Sequence, residues 1–232
     1  MLDCIHMNRR AAITITIFSL FLSIFFSLNN EVPHILSGFT FLSGTLFGLL
    51  LFSKTKLRKW ATSVQNPIKL YGFAMLSAGL LLEFFAYIGN IPRIVAGKEV
   101  FLFSPILPLD LLIGLPHYIT LAFVWVWFLK RYKLSLAGQF ILIGLFWGVK
   151  VDQFHHFFAL LSGNVIDFIV AGGIVACALC WPLLILEEAI ARQYPNRISG
   201  IRAYAVSIPI QVIPFLVLFA TAFVYYVLIL GH

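Results

Sequence analysis

The run YGFAMLSAGLLLEFFAYIGN, residues 71–90, decides what kind of molecule this is. As a helix rising 1.5 Å per residue it reaches about 30 Å, the thickness of a bilayer's hydrocarbon core. Its single charged residue is Glu83. A segment so apolar predicts a membrane span, and an acid inside it calls for a reason.

The rest of the chain reads the same way. Of 232 residues, 61% are hydrophobic and 11% charged, where a soluble domain carries about 25% charged. Scanning for apolar runs predicts an all-α bundle of about seven transmembrane helices, at 11–28, 35–53, 68–90, 105–129, 136–158, 165–185 and 204–230. The stretch FLFSPILPLD, 101–110, allows a second reading as a re-entrant or interfacial piece. Ser104-Pro105 suits a helix start, whereas Pro116, Pro209 and Pro214 would kink the spans that hold them. Arg9-Arg10 before the first span resembles a signal sequence, but SLNNEVPH, 27–34, offers no small-x-small cleavage site, so a retained anchor is expected. With no repeat or soluble segment, residues 1–232 form one transmembrane domain.

Loop charge predicts the orientation. Arg9 and Arg10, Lys54 to Lys69, Lys130 to Lys133 and Arg192 to Arg202 share one side of an alternating bundle, 13 of the 16 basic residues. Positive loops stay in the cytoplasm, so the N-terminus is expected inside and the C-terminus outside, as for a multi-pass protein of the cell membrane. Trp60, Trp127 and Trp181 fall near the same interface, where an aromatic belt belongs. The net charge of +7 is accounted for by these loops, and no nucleic-acid partner is expected. Cys4, Cys177 and Cys180 form no disulfide framework; the CALC at 177–180 lies in an apolar run and reads as packing.

Orientation converts position into depth. Glu83 lies about seven residues below the outer end of its span, roughly 10 Å into the hydrocarbon. His117 and Lys150 reach a similar depth on the fourth and fifth spans. The stretch FWGVKVDQFHHFFALLSGN, 146–164, adds Asp152, His155 and His156 a turn above, and Asp167 begins the sixth span. Glu31, Glu99 and Asp110 also lie on the outer side. Ionisable groups thus concentrate in one outer layer.

A charge in the membrane costs at least about 2.5–3.5 kcal/mol, so such groups face the bundle interior and pair. Asp152 precedes His155 and His156 by three and four residues, and Glu83, Tyr87 and Asn90 share a face by the same spacing. Glu83 and Asp152 are the candidate acid or base, with His117, His155 or His156 as partners. Tyr87, Asn90, Asp110, Lys150 and Asp167 are candidate substrate-binding groups. The competing structural reading has Asp152 pairing with Lys150 near the headgroups, while His155, His156 and Asp167 merely sit at the interface. D-x-x-H-H matches no metal signature, so no metal is expected, and no cofactor motif is present.

Two resemblances bear on chemistry. Glu187-Glu188-x-x-x-Arg192 resembles the first motif of the CAAX-protease and bacteriocin-processing family, but that family's later histidine motifs are missing, since only His232 follows Arg192. The same residues make an ordinary i,i+4 helix pair. The 71–90 helix resembles the glutamate-bearing helix of the seven-span terpene cyclases, which protonate isoprenoids with buried acids. It lacks their acid near the C-terminus, because no Asp or Glu follows Glu188. That resemblance implies a substrate class only. A retinal protein is excluded by the absence of lysine from 204–230.

Three functions are compatible with this layer. The first is a membrane-embedded enzyme acting by acid–base chemistry on a lipid or isoprenoid in a pocket at the outer leaflet. A proton-coupled carrier would use the same residues as a relay, with polar groups continuing to the other side. A non-catalytic subunit, docking on a partner membrane protein, would leave the acids and histidines unconverged.

Overall fold

The structure is a computed structural model that describes residues 53–97, 104–151 and 165–229, together with a few isolated positions before residue 53. The predicted spans 11–28 and 35–53 therefore lie outside the described residues, apart from those positions. The described residues are helical, with no strand beyond a single bridge between Tyr132 and Ile198. Residues 53–61 form α1. The helices that follow are α2 (Pro67–Val95), α3 (Leu107–Arg131), α4 (Leu136–Val151), α5 (Val165–Gln193) and α6 (Ile201–Val224), the last continuing into a π-helical turn, Tyr225–Ile229. Pro67–Val95, Leu107–Arg131 and Ile201–Val227 are long and apolar enough to cross a membrane.

Local chemistry sets the helix ends. Pro67 opens α2 in the first turn, where its missing N–H costs nothing. Gly97, at φ 64°, closes α2 in the left-handed region, and its N–H bonds the carbonyl of Ile94. Several helices outrun their apolar stretches. α2 continues to Val95 instead of 90, α5 continues to Gln193 instead of 185, and α1 occupies part of the segment 54–67 expected as loop. Apolarity marks what a bilayer would cover, whereas Leu57, Arg58, Lys59, Glu187, Glu188 and Ala189 are good helix formers that extend the backbone pattern beyond it. Conversely, the fourth predicted span begins only at Leu107, after Ser104–Ile106. Of the fifth predicted span, the part beyond Val151 lies outside the described residues.

The five long helices close into a ring. α2 packs against α3 and α5, α3 against α6, α5 against α4, and α4 touches α6. Lipid tails are as apolar as leucine, so close packing rather than escape from water holds such helices together. Small residues make it possible. A β-carbon added at Gly72 would meet the Val126 side chain at 3.0 Å, and one at Gly79 would lie 2.1 Å from the Tyr118 ring. These two contacts also show that α2 and α3 run antiparallel. Trp125, Tyr71, Phe128 and Met75 fill the core.

At one end of the ring the chain caps its own helices. The last carbonyls of α3 have no partner inside the helix. Phe128 O instead accepts from Tyr132 N–H (2.8 Å), Leu129 O from the Arg197 guanidinium (3.3 Å) and Arg131 O from Ile198 N–H (2.8 Å). Arg58 on α1 donates to Leu184 O (3.1 Å) and lies 3.7 Å from Glu187, tying α1 to the end of α5. Burial first, and Arg58 second, push the Lys54 ammonium below the usual lysine range, against an opposite pull from Glu187. Arg197 is likewise lowered by burial, again with Glu187 pulling the other way.

Candidate functional site

Glu83 meets a residue that charge and spacing did not single out. The Tyr118 hydroxyl on α3 donates to Glu83 Oε1 at 2.5 Å. Tyr118 is 1% exposed, its ring lying flat in the space left by Gly79. Gly114, one turn before it on α3, leaves room for the acid: a β-carbon there would sit 3.6 Å from Glu83 Cγ. Two glycines on facing helices thus admit one large phenol and one carboxyl into the same crossing. Glu83 itself is only half-buried. Hydrocarbon disfavours a bare carboxylate, and the phenol O–H is the kind of donor that makes such a group tolerable.

His117 is adjacent in sequence and faces the other way. Its Nδ1 lies 2.7 Å from the carbonyl of Pro214 on α6. A carbonyl can only accept, so Nδ1 carries the hydrogen in this contact. The His117 and Tyr118 rings touch edge to face, centroids 5.0 Å apart. Glu83, Tyr118 and His117 therefore form one chain of contacts from α2 through α3 to α6, with Tyr118 between the acid and the imidazole. All three are held on helices, which positions them more rigidly than loops would.

The other expected site residues divide. Asp110, fully buried, accepts from Ser104 N–H at 3.2 Å, while Ser104 Oγ accepts from Ile106 N–H at 3.2 Å. This holds the entry to α3, where an acid also favours the helix dipole. The Tyr87 hydroxyl donates to Pro105 O at 3.1 Å, tying the same entry to α2 instead of meeting Glu83. Asn90, 1% exposed, donates to Ala86 O at 2.9 Å, and its Oδ1 has no hydrogen-bond partner among the described residues. Lys150 and Asp167 lie on α4 and α5, but their side chains are outside the described residues, as are Asp152, His155 and His156 altogether. Among the described residues, no three His, Cys, Asp or Glu side chains converge as a metal site.

A second polar layer lies near the basic end of the ring. Gln139 on α4 donates its amide N–H to the Tyr71 hydroxyl of α2, and both residues are fully buried. Trp125 on α3, Cys180 on α5 and Ser207 on α6 are also 0% exposed, and Gln211 is 7% exposed. Ser207 donates to Tyr204 O at 2.8 Å. Gln139 Oε1, Trp125 Nε1 and Gln211 Nε2 have no hydrogen-bond partner among the described residues. Met75, Ala78 and Leu82 of α2, with Leu121 and Ala122 of α3, separate this layer from Glu83 and Tyr118, and all five are buried.

Comparison of the chain with protein families, with characterised proteins and with solved structures finds no match.

Proposed function

We propose that this protein is a multi-pass membrane enzyme that acts on a lipid or isoprenoid by acid–base chemistry, with Glu83 as the proton-transferring group and Tyr118 as its positioning residue. The observation that carries the reading is the half-buried Glu83 held by a fully buried phenol. An acid engaged only in packing would be enclosed like Asp110. Glu83 stays reachable from the side of the bundle, and a substrate dissolved in the bilayer arrives from there. With Tyr118 donating to Oε1, a proton carried by the acid rests on Oε2. From that oxygen it can pass to an alkene, epoxide or hydroxyl oxygen of a substrate and return when the product's cation loses a neighbouring proton. Loop charge supports a site in the outer half of the bilayer, with the N-terminus in the cytoplasm.

A carrier would need polar groups continuing from one side to the other. Along α2 and α3 the two layers are separated by Met75, Ala78, Leu82, Leu121 and Ala122, whereas on α6 Gln211 lies within one turn of Pro214, whose carbonyl His117 bonds. The apolar stretch on α2 and α3 supports the enzyme over the relay.

The experiment supplies the purified protein with a total polar and isoprenoid lipid extract in deuterium oxide, and follows lipid masses. The parent should produce a changed or deuterium-labelled lipid, and Glu83→Gln should not. Equal labelling by parent and Glu83→Gln, or identical activity of Glu83→Gln, Glu83→Asp and parent across the neutral pH range, removes Glu83 from the chemistry.

A further inference from the structure

The basic end of the ring carries far more cation than its own structure uses. Arg58 and Arg197 are spent on the carbonyls of Leu184 and Leu129, and among the described residues the two carboxylates of this end are engaged, Glu187 near Arg58 and Glu188 by Arg192 at 2.6 Å. Exposed beyond them are Lys56 and Lys59 on α1 and Lys69 in the first turn of α2. Lys130, Arg131 and Lys133 are exposed where α3 ends, and Arg202 where α6 begins. The bonds between Lys133 N–H and Ile198 O (2.7 Å) and between Ile198 N–H and Arg131 O hold the last two groups side by side.

One cation of this set is already oriented. The Arg131 guanidinium lies over the Trp127 ring, 4.9 Å from its centroid. Trp127 is 41% exposed, at the level where α3 leaves its apolar stretch. Indole rings of this kind settle among lipid headgroups, and the ring holds the guanidinium beside them, lowering the entropy cost of binding a phosphate. A guanidinium can bind phosphate oxygens in pairs, and flanking lysines add charge without geometry.

We propose that this collar, centred on Arg131, binds the phosphate groups of anionic phospholipids. Clusters of four to eight Lys or Arg beside a membrane span attract such lipids by about 1 kcal/mol per residue near the surface. Anionic lipid bound there clamps the α3–α6 corner. The inference rests on the membrane reading and is independent of Glu83.

The test compares the full-length protein in nanodiscs of phosphatidylcholine alone with nanodiscs of equal parts phosphatidylcholine and phosphatidylglycerol. The anionic discs should raise Tm by roughly 5 °C, and molar salt should erase most of the difference. Native mass spectrometry should show phosphatidylglycerol retained on the released protein. Combined Lys130→Gln, Arg131→Gln and Lys133→Gln should remove most of both effects and leave Tm in phosphatidylcholine close to the parent's. Equal Tm in the two discs, a salt-insensitive difference, or an undiminished difference in the triple variant overturns the proposal. So does inorganic phosphate giving the same rise in phosphatidylcholine discs, since a small-anion site would then suffice. Should the triple variant not fold, the lipid and salt series on the parent still decides.

Discussion

The two buried polar layers of this bundle use different chemistry. Near the basic end, Tyr71, Gln139, Ser207 and Gln211 come from α2, α4 and α6 and carry no charge. Their burial is close to complete, and the Tyr71–Gln139 bond crosses the ring between helices that are not sequence neighbours. The layer around Glu83 has a carboxyl and an imidazole, and its acid is half open. Neutral groups buried on all sides fit a structural role, because an unpaired amide or indole costs far less in an apolar interior than a charge does. An ionisable group left partly open in an apolar region is costlier to keep, and that cost is what the proposed proton-transfer role of Glu83 would explain.

Breaking the glycine crossing should give the largest effect. Gly79→Val puts branched carbon where the Tyr118 ring lies, and neither helix can retreat without losing the ring closure. We expect a loss of about 3 kcal/mol or more, read as failure to recover monodisperse protein. A variant as stable as the parent would mean that Tyr118 is free to leave and does not define the site. Tyr118→Phe sharpens the same point more gently. It keeps the ring and removes the donor, so activity should fall on the order of tenfold to a hundredfold while the fold persists.

Smaller effects belong to the other layer. Tyr71→Phe leaves the buried Gln139 amide without its partner and should lower stability by about 1–3 kcal/mol with activity per folded molecule unchanged. Lost activity in that variant would join the two layers into one path and favour the carrier. The smallest effect is expected at Lys54. Its folded pKa lies below the ordinary 10.5, so the unfolded chain binds its proton more tightly and the charge is a slight cost at neutral pH. That cost is relieved as pH climbs from the folded value toward 10.5. Lys54→Gln should therefore raise Tm slightly near pH 7 and lose its advantage above 10.5; a lower Tm at pH 7 would show that the attraction to Glu187 outweighs burial.

The helical class and the three long apolar helices were legible in the sequence because both follow from counting apolar residues along the chain. That reasoning singled out Glu83 and His117. It passed over Tyr118, whose meaning depends on Gly79 and Gly114 of two different helices, and a tyrosine inside an apolar run looks like packing until its neighbour is known. Tyr71, Gln139 and Gln211 were missed for a related reason. Neutral polar residues cost little in a span, so a search for expensive residues does not find them. Tyr87 shares the turn spacing with Glu83, yet its long phenol reaches Pro105 instead. Helix ends were misjudged where good helix formers carried α1 and α5 past the hydrophobic stretch, and where α2 continued through Pro92 to Val95.

The central claim is that proton chemistry resides in the Glu83 layer and fold in the Tyr71 layer. It is tested most directly by measuring Tm and solvent-deuterium incorporation into lipid together for Glu83→Gln and Tyr71→Phe. The account predicts a crossed result. Glu83→Gln should lose labelling by about a hundredfold or more with Tm nearly unchanged, and Tyr71→Phe should lower Tm while labelling per folded molecule is kept. If Glu83→Gln labels lipid as well as the parent does, or if both variants lose stability and activity in the same proportion, the division between the layers is wrong.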